Sequence, residues 1–215
     1  MQAPKKALLI MLAVLAFALF SEQSFALPID FRDDSVWGGE GTPSFTSGSI
    51  TVDANGGLLY RDNTDGYGIR GGEWDEIDRE EILTVWFAGG FFDDPGNWLT
   101  GVLLTDLFPA PDGGASGEAG WVTLIDGLGV VIMEFFVNAI DYVANGEFYL
   151  DFGGLYAPDH IVFTAFVDAE LGYTGSEFSV AGFTTSVPEP GTLGLLGASL
   201  LLLGLSRKRR MVAPS

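Results

Sequence analysis

Short runs of β-branched and aromatic residues, separated by turn-forming residues, recur through the chain between its two ends. Valine, isoleucine, threonine and aromatic residues favour strands, and the region lacks a sustained apolar period of about 3.6 residues, which a helix would show. Clusters such as Asn55-Gly56-Gly57 and 93–97 are typical of turns. The pattern predicts an all-β fold, an antiparallel, jelly-roll-like β-sandwich. The predicted strands are 50–52, 82–87, 98–104, 121–125, 130–137, 147–152, 161–167 and 178–183.

The N-terminus has the composition of a secretory signal peptide. Lys5 and Lys6 precede an apolar stretch over 7–20. The small residues Ser24 and Ala26 then occupy positions −3 and −1 of a cleavage site. The apolar stretch is shorter than the roughly 20 residues that a lasting transmembrane helix requires. We therefore expect a helical signal peptide over 1–26, export of the protein, and cleavage after Ala26.

The C-terminus joins a proline-rich segment, a short apolar segment and a basic cluster. Two prolines keep the first segment extended, because proline fixes φ and lacks an N–H group. A transmembrane helix is predicted over 192–205, and it is short for a stable span. The basic cluster predicts a cytoplasmic end, with the rest of the protein outside the membrane. The first segment is Val187, Pro188, Glu189 and Pro190, and the basic cluster is Arg207, Lys208, Arg209 and Arg210.

This order of segments resembles the PEP-CTERM sorting signal of Gram-negative bacteria, with Glu189 between Pro188 and Pro190 as the centre of the motif. The resemblance implies recognition by an exosortase, a multipass membrane enzyme, after export by the secretion machinery. It also implies transient insertion in the inner membrane and delivery to the cell surface or to an exopolysaccharide and biofilm matrix. Residues 187–215 are interpreted as the sorting signal, and residues 27–186 as the exported domain.

The predicted domain is strongly acidic. Residues 27–186 contain four arginines, no lysine and 27 acidic residues, which amounts to a formal net charge of −23. Such a charge repels nucleic acid, so nucleic acid is not an expected partner, and it repels anionic membranes as well. The chain contains no cysteine, which excludes disulfides, thiol catalysis and thiolate metal sites.

A calcium site is one alternative explanation for part of this charge, since carboxylate oxygens suit a hard cation. On a strand, alternate acidic residues share one face, and their mutual repulsion would favour a bound cation. Pairing with nearby arginines is the competing interpretation, so calcium is a candidate cofactor and no other cofactor is expected. The densest acidic group contains Asp75, Glu76, Asp78 and Glu80.

Tryptophan side chains suggest a second alternative, a lectin-like or calcium-dependent adhesin. Flat aromatic rings stack on the apolar faces of sugars. Trp74 and Trp98 follow polar, turn-rich segments and are the candidates for binding carbohydrate, such as an extracellular polysaccharide. Trp86 lies inside a predicted strand, where we expect it to contribute to the core.

An enzyme is not expected. Glu81, Glu134 and Glu147 are the acidic residues that could serve as the paired carboxylates of a polysaccharide hydrolase. His160 is the only histidine, and no Gly-x-Ser-x-Gly motif is present. The sequence therefore favours an exported, non-enzymatic structural protein, with the adhesin as the first alternative and the hydrolase as the second.

Overall fold

The computed structural model describes residues 29–71, 76–109, 117–139, 146–168, 170, 173 and 176–186. All of them belong to one compact unit, Phe25–Ser186, and the remaining unit of the chain lies outside this description. The predicted signal peptide with Ala26, the predicted sorting signal from Val187 onward, Trp74 and Asp75 also lie outside it. In the described part of the chain, no helix has both the length and the apolar character needed to cross a bilayer.

Strands account for most of the described residues, because side chains that alternate between apolar and polar suit a sheet with one buried face. Two short 3-10 turns, Phe91–Asp93 and Pro95–Asn97, interrupt the connection between the sixth and seventh strands. The strands are β1 Ile29–Asp30, β2 Ser44–Ser47, β3 Ile50–Asn55, β4 Leu58–Asp62, β5 Gly66–Arg70, β6 Ile82–Phe87, β7 Leu99–Thr105, β8 Ala119–Ile125, β9 Val131–Asn138, β10 Phe148–Tyr156, β11 His160–Ala165 and β12 Ser179–Thr185.

The strands form two six-stranded antiparallel sheets. The first sheet has the order β10-β7-β12-β5-β4, with β1 also paired to β12, and the second has the order β2-β3-β6-β11-β8-β9. From β5 onward the pairing is nested: β5 with β12, β6 with β11, β7 with β10, and β8 with β9. The predictions of an all-β fold and of antiparallel pairing are confirmed.

Side chains from both sheets contribute to one hydrophobic core. On β6, for example, Leu83, Val85 and Phe87 are buried, whereas the two residues between them are only partly buried. Phe183 of the first sheet lies 5.8 Å from Phe87 and 6.1 Å from Phe163 of the second, measured between ring centroids. These contacts join the sheets, and burying a side chain of this size contributes about 1.5–3 kcal/mol.

A smaller aromatic group packs where β1 leads into the first sheet. The ring of Phe31 lies 4.7 Å from Trp37 and 5.2 Å from Tyr67, both in edge-to-face geometry. The Tyr67 hydroxyl donates a hydrogen bond of 2.7 Å to the Gly38 carbonyl. Burial raises the pKa of Tyr67 to about 12, so this hydroxyl stays protonated and serves as a structural donor.

We call the folded domain within residues 27–186 the body. The strand register shows that several connections lie at the end of the body where β12 ends. Thr185 and Tyr156 both lie opposite Leu99 in the first sheet. Residues 157–159 then cross to the second sheet, where His160 lies opposite Ile125. We call this region the exit end. It comprises the connections 88–98, 126–130 and 157–159, together with Ser186.

Candidate functional site

The described residues of the acidic group that was predicted to bind calcium, 76–80, do not form a strand. Residues 79–80 form a turn ahead of β6, and Glu80 adopts a positive φ of 70°. The amide of Asp78 donates a hydrogen bond of 2.9 Å to the Glu81 carboxylate. Glu76, Asp78 and Glu80 therefore do not alternate along a strand, because the chain turns at 79–80 and the Glu81 amide bonds to the Asp78 carbonyl.

No metal centre is evident in the described ranges: no three histidine, cysteine, aspartate or glutamate side chains are placed to hold an ion together. The predicted set is only partly covered by this result, since Asp75 lies outside the described residues. Calcium binding by the chain therefore stays a prediction.

The three carboxylates considered for a hydrolase lie on separate elements. Glu81 is buried just before β6. Glu134 is exposed on β9, 3.4 Å from the Thr123 hydroxyl. Glu147 precedes β10 and lies 3.4 Å from the guanidinium of Arg32, to which it forms an exposed ion pair. Each carboxylate thus has a different environment and different contacts.

Trp98 is about one-third exposed, at 36%. Its indole Nε1 donates a hydrogen bond of 3.0 Å to the Phe92 carbonyl. The exposure expected from its polar flanking loop is therefore confirmed, and the hydrogen bond holds the ring against the loop. Trp98 belongs to the exit end.

Trp86 is not a core residue, contrary to the expectation from its strand. It alternates with buried Val85 and Phe87 on β6, so its side chain lies on the outer face and is 38% exposed. Its ring lies 4.1 Å from that of His160 between centroids, tilted by 31°. The imidazole in turn lies 3.0 Å from the Asp159 carboxylate. His160 is therefore packed between an exposed tryptophan ring and a carboxylate.

A cluster of outward-facing rings on the second sheet was not predicted. Trp121 on β8 lies opposite Phe136 on β9, with ring centroids 4.9 Å apart. Phe166 lies 5.2 Å from Phe136 and 5.3 Å from Tyr173. We call these four side chains the aromatic surface. The amide of Asn138 donates a hydrogen bond of 2.7 Å to the Tyr173 hydroxyl.

The aromatic surface combines flat apolar rings with polar groups at its border. Phe136 is 42% exposed, and its neighbour Val137 is part of the core, so the ring projects from the outer face. Ring faces of this kind stack on sugar C–H groups, while amides and hydroxyls bind sugar hydroxyls. The alternation of Trp121 with Val122 could have predicted from the sequence that the Trp121 ring faces outward. It could not have predicted that Phe136 lies opposite, because that depends on which strands pair.

Glu118 is the one carboxylate with a strongly raised pKa among the described groups that show a clear shift. This pKa is raised to about 8, mainly by burial, and the negative charges of Glu177 and Asp106 act in the same direction. The amide of Phe108 donates a hydrogen bond to the Glu118 carboxyl, which partly opposes the shift. At neutral pH the carboxyl is therefore mostly protonated, and its hydrogen bond with the Phe108 amide connects the chain just before β8 to the chain just after β7.

Comparison with known proteins identifies the C-terminal segment. Residues 186–210 match the family model of the PEP-CTERM protein-sorting motif, which covers the predicted segment 187–190 and the basic cluster 207–210. No curated protein matches the chain. The chain therefore carries a PEP-CTERM sorting motif, which indicates an exported protein that is sorted to the cell surface by an exosortase.

Proposed function

We propose that the protein is a structural component of the cell surface or extracellular matrix, of the exopolysaccharide or biofilm type. The sorting motif at 186–210 is the observation that carries this proposal. Its apolar segment inserts transiently in the inner membrane, and an exosortase then removes the tail. The acidic body is released outside the cell, where a net charge of −23 over 27–186 keeps it soluble.

The body serves as a non-enzymatic scaffold without a resident cofactor, folded as a jelly-roll β-sandwich. The nested pairing of β5 to β12 supports this topology, since a long antiparallel hairpin that rolls up forms such pairs. The separate environments of Glu81, Glu134 and Glu147 favour a scaffold over a two-carboxylate hydrolase.

The sorting role is tested by replacing Pro188, Glu189 and Pro190 with alanine in a tagged chain. We expect the variant to accumulate in the inner membrane with its tail attached, while the unchanged protein reaches the surface. Glu40→Ala with Pro43→Ala is a matched control, because these exposed residues provide the same residue types away from the motif. Normal processing of the triple variant would contradict the proposal.

Carbohydrate binding is the second candidate function, and the aromatic surface is the observation that favours it. Trp121 and Phe136 present adjacent rings beside the Asn138 amide. The partner would be a neutral polysaccharide, because the acidic body repels anionic chains. This function makes the protein an adhesin that links the cell surface to its matrix.

Retention of variants on insoluble neutral polysaccharides shows whether the aromatic surface or the predicted Trp98 site binds carbohydrate. Phe136→Ala should abolish retention if the aromatic surface binds, whereas Trp98→Ala should abolish it if the predicted Trp98 site binds. Trp86→Ala is the control, since it removes an exposed ring from the same sheet outside the aromatic surface. Retention unchanged in the first two variants would eliminate both sites.

A further inference from the structure

Exposed apolar side chains gather at the exit end of the body. Leu128 at the tip of the β8–β9 hairpin is 89% exposed, and three further aliphatic residues there are each more than half exposed. Surface apolar residues are common singly, but several of them on connections and strand ends at one end of a domain favour a contact surface. We call the group the apolar rim: Trp98, Leu128, Val130, Val131 and Leu155.

The β8–β9 hairpin, which carries Leu128, Val130 and Val131 of the rim, has a turn that is fixed by its own hydrogen bonds. The Asp126 carboxylate accepts hydrogen bonds from the amides of Leu128 and Val130, at 2.9 and 2.8 Å. The amide of Gly129 bonds to the Asp126 carbonyl at 2.9 Å, and Gly129 has a φ of 78°, a conformation that favours glycine. The backbone therefore holds Leu128 outward in a fixed turn.

The chain leaves the described residues beside this rim. The amide of Ser186 bonds to the Trp98 carbonyl at 2.7 Å, and the sorting motif is matched from residue 186 onward. Six residues lead from Ser186 to Thr192, where the predicted transmembrane helix begins, and a fully extended chain spans at most about 3.5 Å per residue. An inserted tail thus tethers Ser186 within about 21 Å of the hydrocarbon boundary.

The polar region on each side of a bilayer is about 5–8 Å thick, so the tether allows the exit end to reach it. We propose that the apolar rim docks on the outer surface of the inner membrane while the sorting tail is still inserted. This inference depends on the proposed function, because the inserted tail supplies the tether. A tether of this length gives an effective concentration in the millimolar range, so weak contacts are enough.

The negative charge of the body determines which lipid surfaces the apolar rim can bind. A net charge of −23 over 27–186 opposes binding to anionic lipid, and Asp93 and Asp94 lie exposed in the connection that leads to Trp98. Apolar contact does not require anionic lipid, and salt screens charge repulsion over a Debye length of about 10 Å. The rim therefore suits a zwitterionic surface and binds anionic surfaces only at raised salt.

The absence of cysteine from the chain makes a direct test feasible. Leu128→Cys and Leu58→Cys are prepared in the chain from Leu27 onward, which lacks the apolar stretch 7–20. Each is labelled with an environment-sensitive dye and reconstituted in vesicles of phosphatidylcholine. Leu58 is a matched control, because it is an exposed leucine on β4 opposite Arg70, where β5 ends away from the exit end. Flotation of the protein with the vesicles reports tail insertion independently of the dye.

The expected result is a blue shift of the dye at position 128, and its quenching by brominated lipid, with neither change at position 58. Replacing half of the lipid with phosphatidylglycerol should reduce the quenching at low salt and restore it at high salt. Equal behaviour of the two dyes in protein that floats would overturn the proposal, as would a shift at 128 that requires added exosortase. Failure of the protein to float would instead contradict insertion of the tail.

Discussion

The rings of Trp121 and Phe136 lie 4.9 Å apart on the outer face of the second sheet, on neighbouring strands. Their strands also supply core residues, Val122 and Val137, so the same two strands stabilise the fold and build an external surface. A change on the outer face can therefore be separated from a change in the core.

Phe136→Ala should affect binding more than stability. The ring is 42% exposed, so we expect the free energy of unfolding to fall by only about 1 kcal/mol, the usual contribution of an aromatic pair. Phe163→Ala is the contrasting variant, because this fully buried ring should cost about 3–5 kcal/mol. Urea denaturation measures both, and equal losses would show that Phe136 is a core residue.

The Tyr67 hydroxyl should contribute to stability through the Gly38 carbonyl. Tyr67→Phe removes the donor to this partly buried carbonyl, which should lower the free energy of unfolding by about 1–2 kcal/mol. Tyr149→Phe is the control, since its hydroxyl lies 2.8 Å from the Thr184 hydroxyl at an exposed position. Thermal unfolding should rank Tyr67→Phe below Tyr149→Phe, and the reverse order would contradict the structure.

The stability of the body should fall as pH rises from about 5 to 8. The folded state raises the pKa of Glu118 from 4.5 to about 8, so between these values the folded chain holds a proton that the unfolded chain releases. The stabilising contribution of this proton is full below 4.5 and is lost as pH rises through 8. The slope is at most about 1.4 kcal/mol per pH unit.

Glu118→Gln isolates this effect, because the amide oxygen still accepts the hydrogen bond from the Phe108 amide but does not titrate. Urea denaturation across the same pH range should give a flatter dependence for the variant than for the unchanged protein. Parallel curves would show that Glu118 is ionised in the folded body at neutral pH.

Salt should stabilise the acidic body without a specific need for calcium. Residues 27–186 contain 27 acidic residues and only four arginines, so repulsion among the carboxylates weakens the folded state, and screening by salt relieves it. We expect the melting temperature to rise with sodium chloride, and to rise no further with calcium chloride at matched ionic strength. A large shift at micromolar calcium, reversed by a chelator, would instead establish the calcium site predicted around Asp75.

Strand composition made the all-β fold predictable, and the predicted run 82–87 coincides with β6. The β4–β5 hairpin could not be predicted in the same way. Leu58–Asp62 and Gly66–Arg70 contain glycine and charged residues in place of an apolar run, and β5 is held in place by pairing with β12. The residue pattern within a short segment does not predict which distant strand that segment pairs with, because pairing depends on the tertiary fold.

In the candidate sites too, local sequence pattern predicted some features, and others depend on which distant strands pair. The prediction that Trp86 lies in the core was wrong because β6 is largely apolar on both faces. Only the burial of its neighbour Val85 shows that the Trp86 side chain points outward. The aromatic surface depends on β8 pairing with β9 and on Phe166 approaching from the end of β11. The sorting motif was recognisable because its function resides in a contiguous segment, 186–210.

Mass spectrometry of the protein recovered from the cell surface tests the central claim most directly. The account predicts a body that extends through β12 and lacks the basic cluster 207–210, because an exosortase has removed the tail. The same measurement on the inner-membrane fraction should detect the uncleaved precursor as a minor species. A protein that is found only in the inner membrane, intact through Ser215, would contradict the account.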